Sequence, residues 1–455
     1  MPFHDLSTFI ARLETEGDLC RIAAEVDPLL EIAAITDRVS KGAGGNKALL
    51  FERVKGHPFP VLTNLFGSLD RTASALGADD LEALARRLER DLAAAPGESA
   101  GQRLRALVRS PAWEPCVIET PPCREIVRDA PDLCLLPALQ SWPGDGGRYL
   151  TLPLVFTADP ETGETNCGMY RVQIVDDSTA LVHWKEGSGG AAHHAAWQRR
   201  GEPMPVAIAL GGPPALTYAA GAPLPEGVEE TRFAGYLQGE PVEMAACLSS
   251  GLRVPAAAEF VIEGFIDPGK TGTEGPFGNH TGSYAPAGPF PLLRVSALCH
   301  RRGPLFPATI VGPPPMEDCF LGKATERLFL PLLRLEVLGV RDINLPIEGI
   351  FHGCALVSAR TEGADGGKEL LRQLWETGLL KRSKMIVVLD EDVDVQDPSL
   401  CYWRALNQVD PGRDLIVEDG RLGIDATHRE NGARVGTDPE TQRLLARRWE
   451  EYGIG

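Results

Sequence analysis

The sequence has no run approaching the ~20 consecutive apolar residues that a membrane span requires. It is also short of positive charge: 45 Lys and Arg against 63 Asp and Glu leave a net charge of −18. The first lack argues against a membrane span. The second argues against nucleic acid, because an acidic chain with no dense Lys/Arg cluster repels phosphate backbones. Ten cysteines are scattered at Cys20, Cys116, Cys123, Cys134, Cys167, Cys247, Cys299, Cys319, Cys354 and Cys401. None forms a C-x-x-C pair, which argues against a zinc knuckle or a redox dithiol, and most are expected to be buried thiols acting as small hydrophobes. There is no H-E-x-x-H and no G-x-G-x-x-G. The opening "MPFHDLSTFIARLETEG" is charged from Asp5 and amphipathic, not the apolar run of a signal peptide, so the expected location is cytoplasmic.

What is present is an ordinary globular composition, 43% hydrophobic and 24% charged over 455 residues. At roughly 100 to 200 residues per domain, that length suggests two to four domains. Asp5 is placed to cap a helix over 6–16, and "LEIAAITDRVSKG" reads as a second helix ending at Gly42. "ALLFERVKGHPFPVLTNLFG" reads as two strands around a Lys-Gly-His-Pro turn, and "LEALARRLERDLAAA" as a charged helix. These form an expected N-terminal α/β unit, 1–115. From 116 to 310, short alternating apolar runs with frequent turns predict a β-barrel or curled sheet. "ATERLFLPLLRLEVLG" is a connecting helix. Within 320–455, "GCALVSA" and "KMIVVLD" flank the helical "GKELLRQLWETGLL", the βαβ texture of a parallel sheet. "PETQRLLARRWEEYG" is a last helix. The fold class is therefore α/β, as an α+β multidomain chain.

Two stretches carry candidate chemistry. "TEGPFGNHTG", 273–282, holds Glu274, Asn279 and His280 in a loop otherwise made mostly of Gly, Pro and small hydroxyl residues; a solvated turn is the competing reading. "NCGMYR" follows the turn "DPETGET". Continuous strand alternation would put Asn166, Gly168 and Tyr170 on one face and Cys167, Met169 and Arg171 on the other. A buried Arg171 needs an anionic partner, and Glu274 is a candidate; an ordinary ion pair in the barrel wall is the alternative. The acidic run "DEDVD", Asp390–Asp394, lacks the glycine and terminal Glu of an EF-hand and reads as a solvated turn.

With these residues in hand, the chain resembles the UbiD family of (de)carboxylases, which use prenylated FMN. "LTNLFGS", "NCGMYR", "EGPFGNHTG", "VGPPPMEDCFLGKATER", "LPIEGIFHG", "LDEDVDVQD" and "LGIDAT" fall in family order and spacing. "PPMEDCFLGKATERLFLPLL" is most similar to the branch associated with menaquinone precursors. The resemblance implies an N-terminal α/β unit, a split β-barrel holding the flavin, a linking helix and a C-terminal α/β domain used for oligomerisation. It implies flavin contacts from Asn166, Met169, Tyr170, Arg171 and Glu230, with Mn2+ and K+ held through Asn166 and Glu230. It also implies a catalytic network of Glu274, Arg171 and Asn279. Arg171 would bind the substrate carboxylate, and Glu274 would deliver the proton, in a protonated form that burial favours.

Two positions depart from the family pattern. Asn279 stands where the family has an acid, and Gly187 stands where it has a metal-ligating His; His183, His193 and His194 are the candidates to replace that ligand. The implied substrate is an aromatic or α,β-unsaturated acid, with a carboxylated naphthalenoid as the specific expectation. A homo-oligomer (dimer or hexamer) or a hetero-oligomer with a homologue is expected, with a flavin prenyltransferase as the cofactor's supplier. The alternative is a catalytically impaired paralogue acting through a partner.

Overall fold

Asp5 does what its position predicts: its carboxylate accepts from the Thr8 amide at 2.8 Å and starts the helix Leu6–Thr15, whose Leu6, Phe9, Ile10 and Leu13 are buried. The computed structural model describes residues 2–42, 44–350, 353–363, 365–427 and 436–454; 351–352 of "LPIEGIFHG" and the end of "LGIDATHRE" lie outside these.

The N-terminal unit is built on a four-stranded sheet in the order Leu19–Val26, Ala48–Val54, Val61–Thr63, Phe306–Pro307. The middle two strands are the antiparallel pair expected around Lys55–Pro58. Sequence reading missed Leu19–Val26, and the reason is visible in its burial: as an edge strand it buries only Val26, so it carries no clean apolar alternation. Phe306–Pro307 joins this sheet in parallel with Val61 and Leu62, although it falls within the stretch expected to belong to the central unit.

The central sheet has nine strands. Eight follow the order Tyr149–Leu150, Val172–Ile174, Thr179–Val182, Gly288–His300, Phe260–Glu274, Met204–Leu210, Pro153–Ala158, Thr165–Gly168, and Ile126–Val127 pairs outside that path. All its pairings are antiparallel. One long hairpin, Phe260–Glu274 against Gly288–His300, forms its spine and delivers Glu274 at the end of the first strand.

The linking helix is Glu317–Glu336, starting seven residues before the expected "ATERLF" and carrying Pro331 inside. Its buried Leu328, Leu332 and Leu333 belong to the same core as Leu81, Leu84 and Leu88 of the helix Leu81–Ala94. The C-terminal sheet runs Val340–Asn344, Cys354–Ala359, Met385–Asp390, Arg421–Asp425, Leu415–Glu418, with the expected parallel pair at its centre around the helix Gly366–Glu376. Asp390 ends its strand, and Glu391, Asp392 and Asp394 are exposed around buried Val393, the turn expected of "DEDVD". The architecture is the expected α/β multidomain one: an N-terminal α/β unit, a central β unit, a linking helix and a C-terminal α/β domain.

Candidate functional site

Strand pairing places the first constellation. Val182 pairs with Val172, and one step further the His183 amide donates to the Arg171 carbonyl at 3.1 Å, so the two side chains stand opposite each other at the sheet's end. Glu274 arrives beside them from the long hairpin and is fully buried, at 0% exposure. The Arg171 guanidinium donates to both its oxygens, Nε to Oε1 at 2.8 Å and Nη2 to Oε2 at 2.9 Å. This is the bidentate fork that suits a carboxylate. His183 Nδ1 lies 3.0 Å from Oε2, and since an ionised carboxylate only accepts, Nδ1 carries the proton.

Aromatic rings close the sides. Arg171 lies 4.5 Å from the centroid of Phe277, and His183 stacks on Phe290 at 4.0 Å. The expected role of burial needs correction here. Burial does push the Glu274 carboxyl up, but the hydrogen bonds from His183 and Arg171 and their charges outweigh it and hold the group at about 2. Glu274 is therefore ionised, not protonated.

The loop after Glu274 is stiff because it is stitched to the segment 141–146. Asp145 Oδ1 accepts from the Gly278 amide at 2.7 Å, while its Oδ2 accepts from Ser141 and Trp142. Gln173 Oε1 accepts from the Gly275 amide at 2.9 Å and from the Tyr149 hydroxyl at 3.2 Å. Gly275 sits at φ +93°, and at Gly146 a Cβ would lie 2.1 Å from the Gly275 carbonyl, so glycine is required at both. Sequence reading missed Asp145, Tyr149 and Gln173; nothing in their local spacing marks them.

Asn279 departs from the implied network. Its Oδ1 accepts from the His280 amide at 2.8 Å and its backbone closes the turn to Ser283, with no hydrogen bond to Arg171 or Glu274 among the described residues. A short amide next to its own turn amides is satisfied locally. His280 instead reaches the linking helix, with Nδ1 3.2 Å from Asp318 Oδ2.

The second constellation lines a cavity of about 1460 Å³ that includes Asn166, Gly187, Gly189, His193 and Glu230. Glu230 Oε2 accepts from the Cys167 amide at 3.1 Å, and burial pushes this carboxyl up to about 7. Asn166 Nδ2 is buried without a partner among the described residues. At Gly189 a Cβ would sit 2.2 Å from Asn166 Oδ1, and at Gly190 it would sit 2.7 Å from the Trp184 ring. The two glycines thus let the start of the helix Gly189–Arg200 pack close to Asn166 and Trp184, with Gly189 lining the cavity.

The strand Thr165–Gly168 stops before Met169, so the alternation expected through Arg171 does not hold. The Met169 amide donates to the Ala220 carbonyl, and Met169 packs against the N-terminal core. Tyr170 is buried, with its hydroxyl accepting from the Gly190 amide at 3.1 Å.

The candidate replacement histidines separate. His183 is committed to Glu274, and His194 pairs with Gln198 at 3.0 Å; neither lines the cavity. His193 does line it, with Nδ1 2.9 Å from Thr157 Oγ1, and burial pushes its pKa down. Gly187, at φ +71°, offers no donor, and its side-chain direction is met by Arg382 Nη2 at 3.5 Å. The cavity and the orphan Asn166 amide suit the anionic end of a flavin. Asn166 and Glu230 give a divalent ion two of the three side-chain donors the resemblance implies, so the fit to the metal is incomplete.

Two letter patterns need their structural context. "GFIDPGKT", 264–271, has the spacing of a nucleotide-phosphate loop, yet it runs inside the strand Phe260–Glu274 and does not open a helix. "GESAG", 97–101, has the spacing of a nucleophile elbow, but Ser99 caps the helix Ala100–Val108 with its hydroxyl accepting from Gln102.

Comparison with known proteins finds three family domains in series. They are the N-terminal domain of 3-octaprenyl-4-hydroxybenzoate carboxy-lyase over 10–90, its Rift-related domain over 116–314 and its C-terminal domain over 319–438. An uncharacterised protein of Archaeoglobus fulgidus is 40% identical over 479 residues, covering 99% of each chain. The evolved dimeric form of the UbiD-class enzyme HmfF from Pelotomaculum thermopropionicum, solved in complex with prFMN, is 30% identical with a TM-score of 0.83, over 97% of this chain and 98% of that one. The vanillic acid decarboxylase of Sedimentibacter hydroxybenzoicus in its closed form superposes with a TM-score of 0.88 at 26% identity, over 100% of both chains. With the three domains matched in order and this likeness running end to end, the chain belongs to the UbiD family of carboxy-lyases.

Proposed function

We propose that this protein is a non-oxidative decarboxylase of an aromatic or α,β-unsaturated carboxylic acid, with a naphthoate related to menaquinone precursors as substrate and prenylated FMN as cofactor. The observation that carries this reading is the buried Glu274 carboxylate gripped by both arms of the Arg171 fork. The pair is built to exchange one carboxylate for another.

A substrate carboxylate entering the site competes with Glu274 for the same guanidinium. As Arg171 turns to the substrate, Glu274 loses its strongest cationic partner and its proton affinity rises, because burial then dominates. That brings the group to the protonated form it needs in order to deliver a proton to the carbon that CO2 has left. Phe277 and Phe290 flank the exchange, and Glu274 itself is held out of water. The flavin, when bound, supplies the electron sink for the carbon losing CO2. Asn166, Met169, Tyr170, Arg171 and Glu230 would hold it, with Asn166 and Glu230 facing Mn2+ and K+. The active form is a cytoplasmic homo-oligomer, a dimer or hexamer, supplied with cofactor by a flavin prenyltransferase.

A second reading is favoured by Gly187: a paralogue that has lost the metal site and works as the subunit of an intact homologue. Both are tested by the visible spectrum and cofactor mass of protein co-expressed with a flavin prenyltransferase and supplied with manganese. Bound prenylated FMN is the expected result. Colourless protein, alongside a coloured intact homologue from the same preparation, would overturn the enzyme reading in favour of the paralogue.

A further inference from the structure

Glu274 has two hydrogen-bonding side chains in the constellation, Arg171 and His183, and residue 279 is neither of them. Asn279 is occupied by its own turn, while His183 Nδ1 lies 3.0 Å from Glu274 Oε2. We propose that His183 takes the place of the missing acid: a positioning residue that fixes Glu274 and supplies it with the proton used in each turnover. The inference rests on the decarboxylase reading above.

Three observations carry it. The backbone bond to Arg171 fixes the start of the His183 side chain, so its approach to Glu274 is set by strand register. Phe290 stacks on the imidazole and fixes its plane. Glu274 is fully buried while the His183 side chain keeps 28% of its surface exposed. The histidine therefore bridges a dry carboxylate and the outside.

The proton bookkeeping closes. An imidazolium carries N–H on both nitrogens and passes the Nδ1 proton to Glu274 Oε2 as Arg171 turns to the substrate. Glu274 passes that proton to the substrate carbon as the C–C bond to CO2 is replaced by a C–H bond. Neutral His183 takes a proton back from water, so the net change is RCOO⁻ + H⁺ → RH + CO2. Among the described residues, the charged and titratable groups in contact with His183 are Glu274, through its carboxylate, and Arg171, through its backbone; Tyr149 stands behind Glu274, and Phe290 stacks on the ring.

The chain also offers a reason for a histidine in place of a second carboxylate. A carboxylate near Glu274 would add negative charge to a fully buried anion, whereas an imidazole stabilises it.

The test has two arms. In ¹⁵N-imidazole spectra of the full chain without cofactor, followed over a pH titration, His183 Nδ1 is expected to stay protonated throughout, in the imidazolium at low pH and in the Nδ1–H form of the neutral ring above it, and Glu274→Gln is expected to release the neutral ring to the ordinary tautomer mixture. In protein loaded with prenylated FMN, with 2-naphthoate as the probe acid, His183→Asn is expected to lower kcat at least 100-fold. KM and flavin content should stay within 2-fold, and the high-pH limb of the rate profile should disappear. Asn keeps a donor where Nδ1 stood but cannot carry a proton, so a purely structural role would leave kcat within 3-fold and overturn the proposal. A mixed tautomer in the parent spectrum would overturn it as well. If the parent does not turn over 2-naphthoate, the naphthoate reading fails; the spectrum then decides for His183 alone, with a locked Nδ1–H supporting the inference and a mixture ending it.

Discussion

Glu274 shows how one carboxylate changes character with its neighbours. Removing it from water raises its proton affinity, and Arg171 and His183 reverse that so fully that the group sits at about 2. Because its pKa is depressed on folding, the carboxylate stabilises the fold above the unfolded value of about 4.3 and loses that contribution as pH falls toward 2. Glu274→Gln keeps the shape and removes the proton-carrying capacity. It should cut turnover of the loaded enzyme by roughly 10² to 10⁴, the range typical of a general acid, while the flavin stays bound. Turnover measured beside the visible spectrum separates the two effects, and an unchanged rate would end the assignment.

Among the elements, the linking helix carries a buried acid of the opposite kind. Glu317 is 3% exposed, its Oε2 accepts from the Phe66 amide at 3.0 Å, and burial pushes it up to about 7. A carboxyl whose pKa is raised on folding contributes stability below the unfolded value of about 4.3 and loses it as pH rises through 7. Glu317→Gln can still accept from Phe66 and avoids the buried charge. At pH 8 it should stabilise the protein by up to roughly 4 kcal/mol, at 1.4 kcal/mol per pKa unit, and raise Tm by several degrees. Melting curves at pH 8 and pH 4.5 should show that gain shrinking toward zero at the lower pH. A gain of equal size at both would mean that the charge is not the cause.

For the whole molecule, the C-terminal domain leaves large side chains in water. On the helix Pro398–Gln408, Tyr402, Trp403 and Leu406 are 57%, 56% and 84% exposed, and Leu406, four residues after Tyr402 and three after Trp403, shares a face with both. An apolar face of that kind suits burial in an oligomer. Leu406→Glu should convert the assembly to smaller species by light scattering without altering flavin content. An unchanged mass would move the interface elsewhere.

Much of this protein is determined by local sequence. The helix begun by Asp5, the strand pair around Lys55–Pro58 and the βαβ unit of the C-terminal sheet follow from capping, turn chemistry and apolar periodicity, which act over a few residues. The order of family motifs placed Asn166 and Glu230 together, and they do line one cavity. Tertiary structure decided what no spacing encodes. Strand register set His183 opposite Arg171, and a long hairpin brought Glu274 between them from a hundred residues away. The ionisation of Glu274 could not be read from burial alone, because it is the balance of desolvation against two partners distant in the chain. Asn279 turned back into its own loop for the converse reason: its nearest amides are local and satisfy it first.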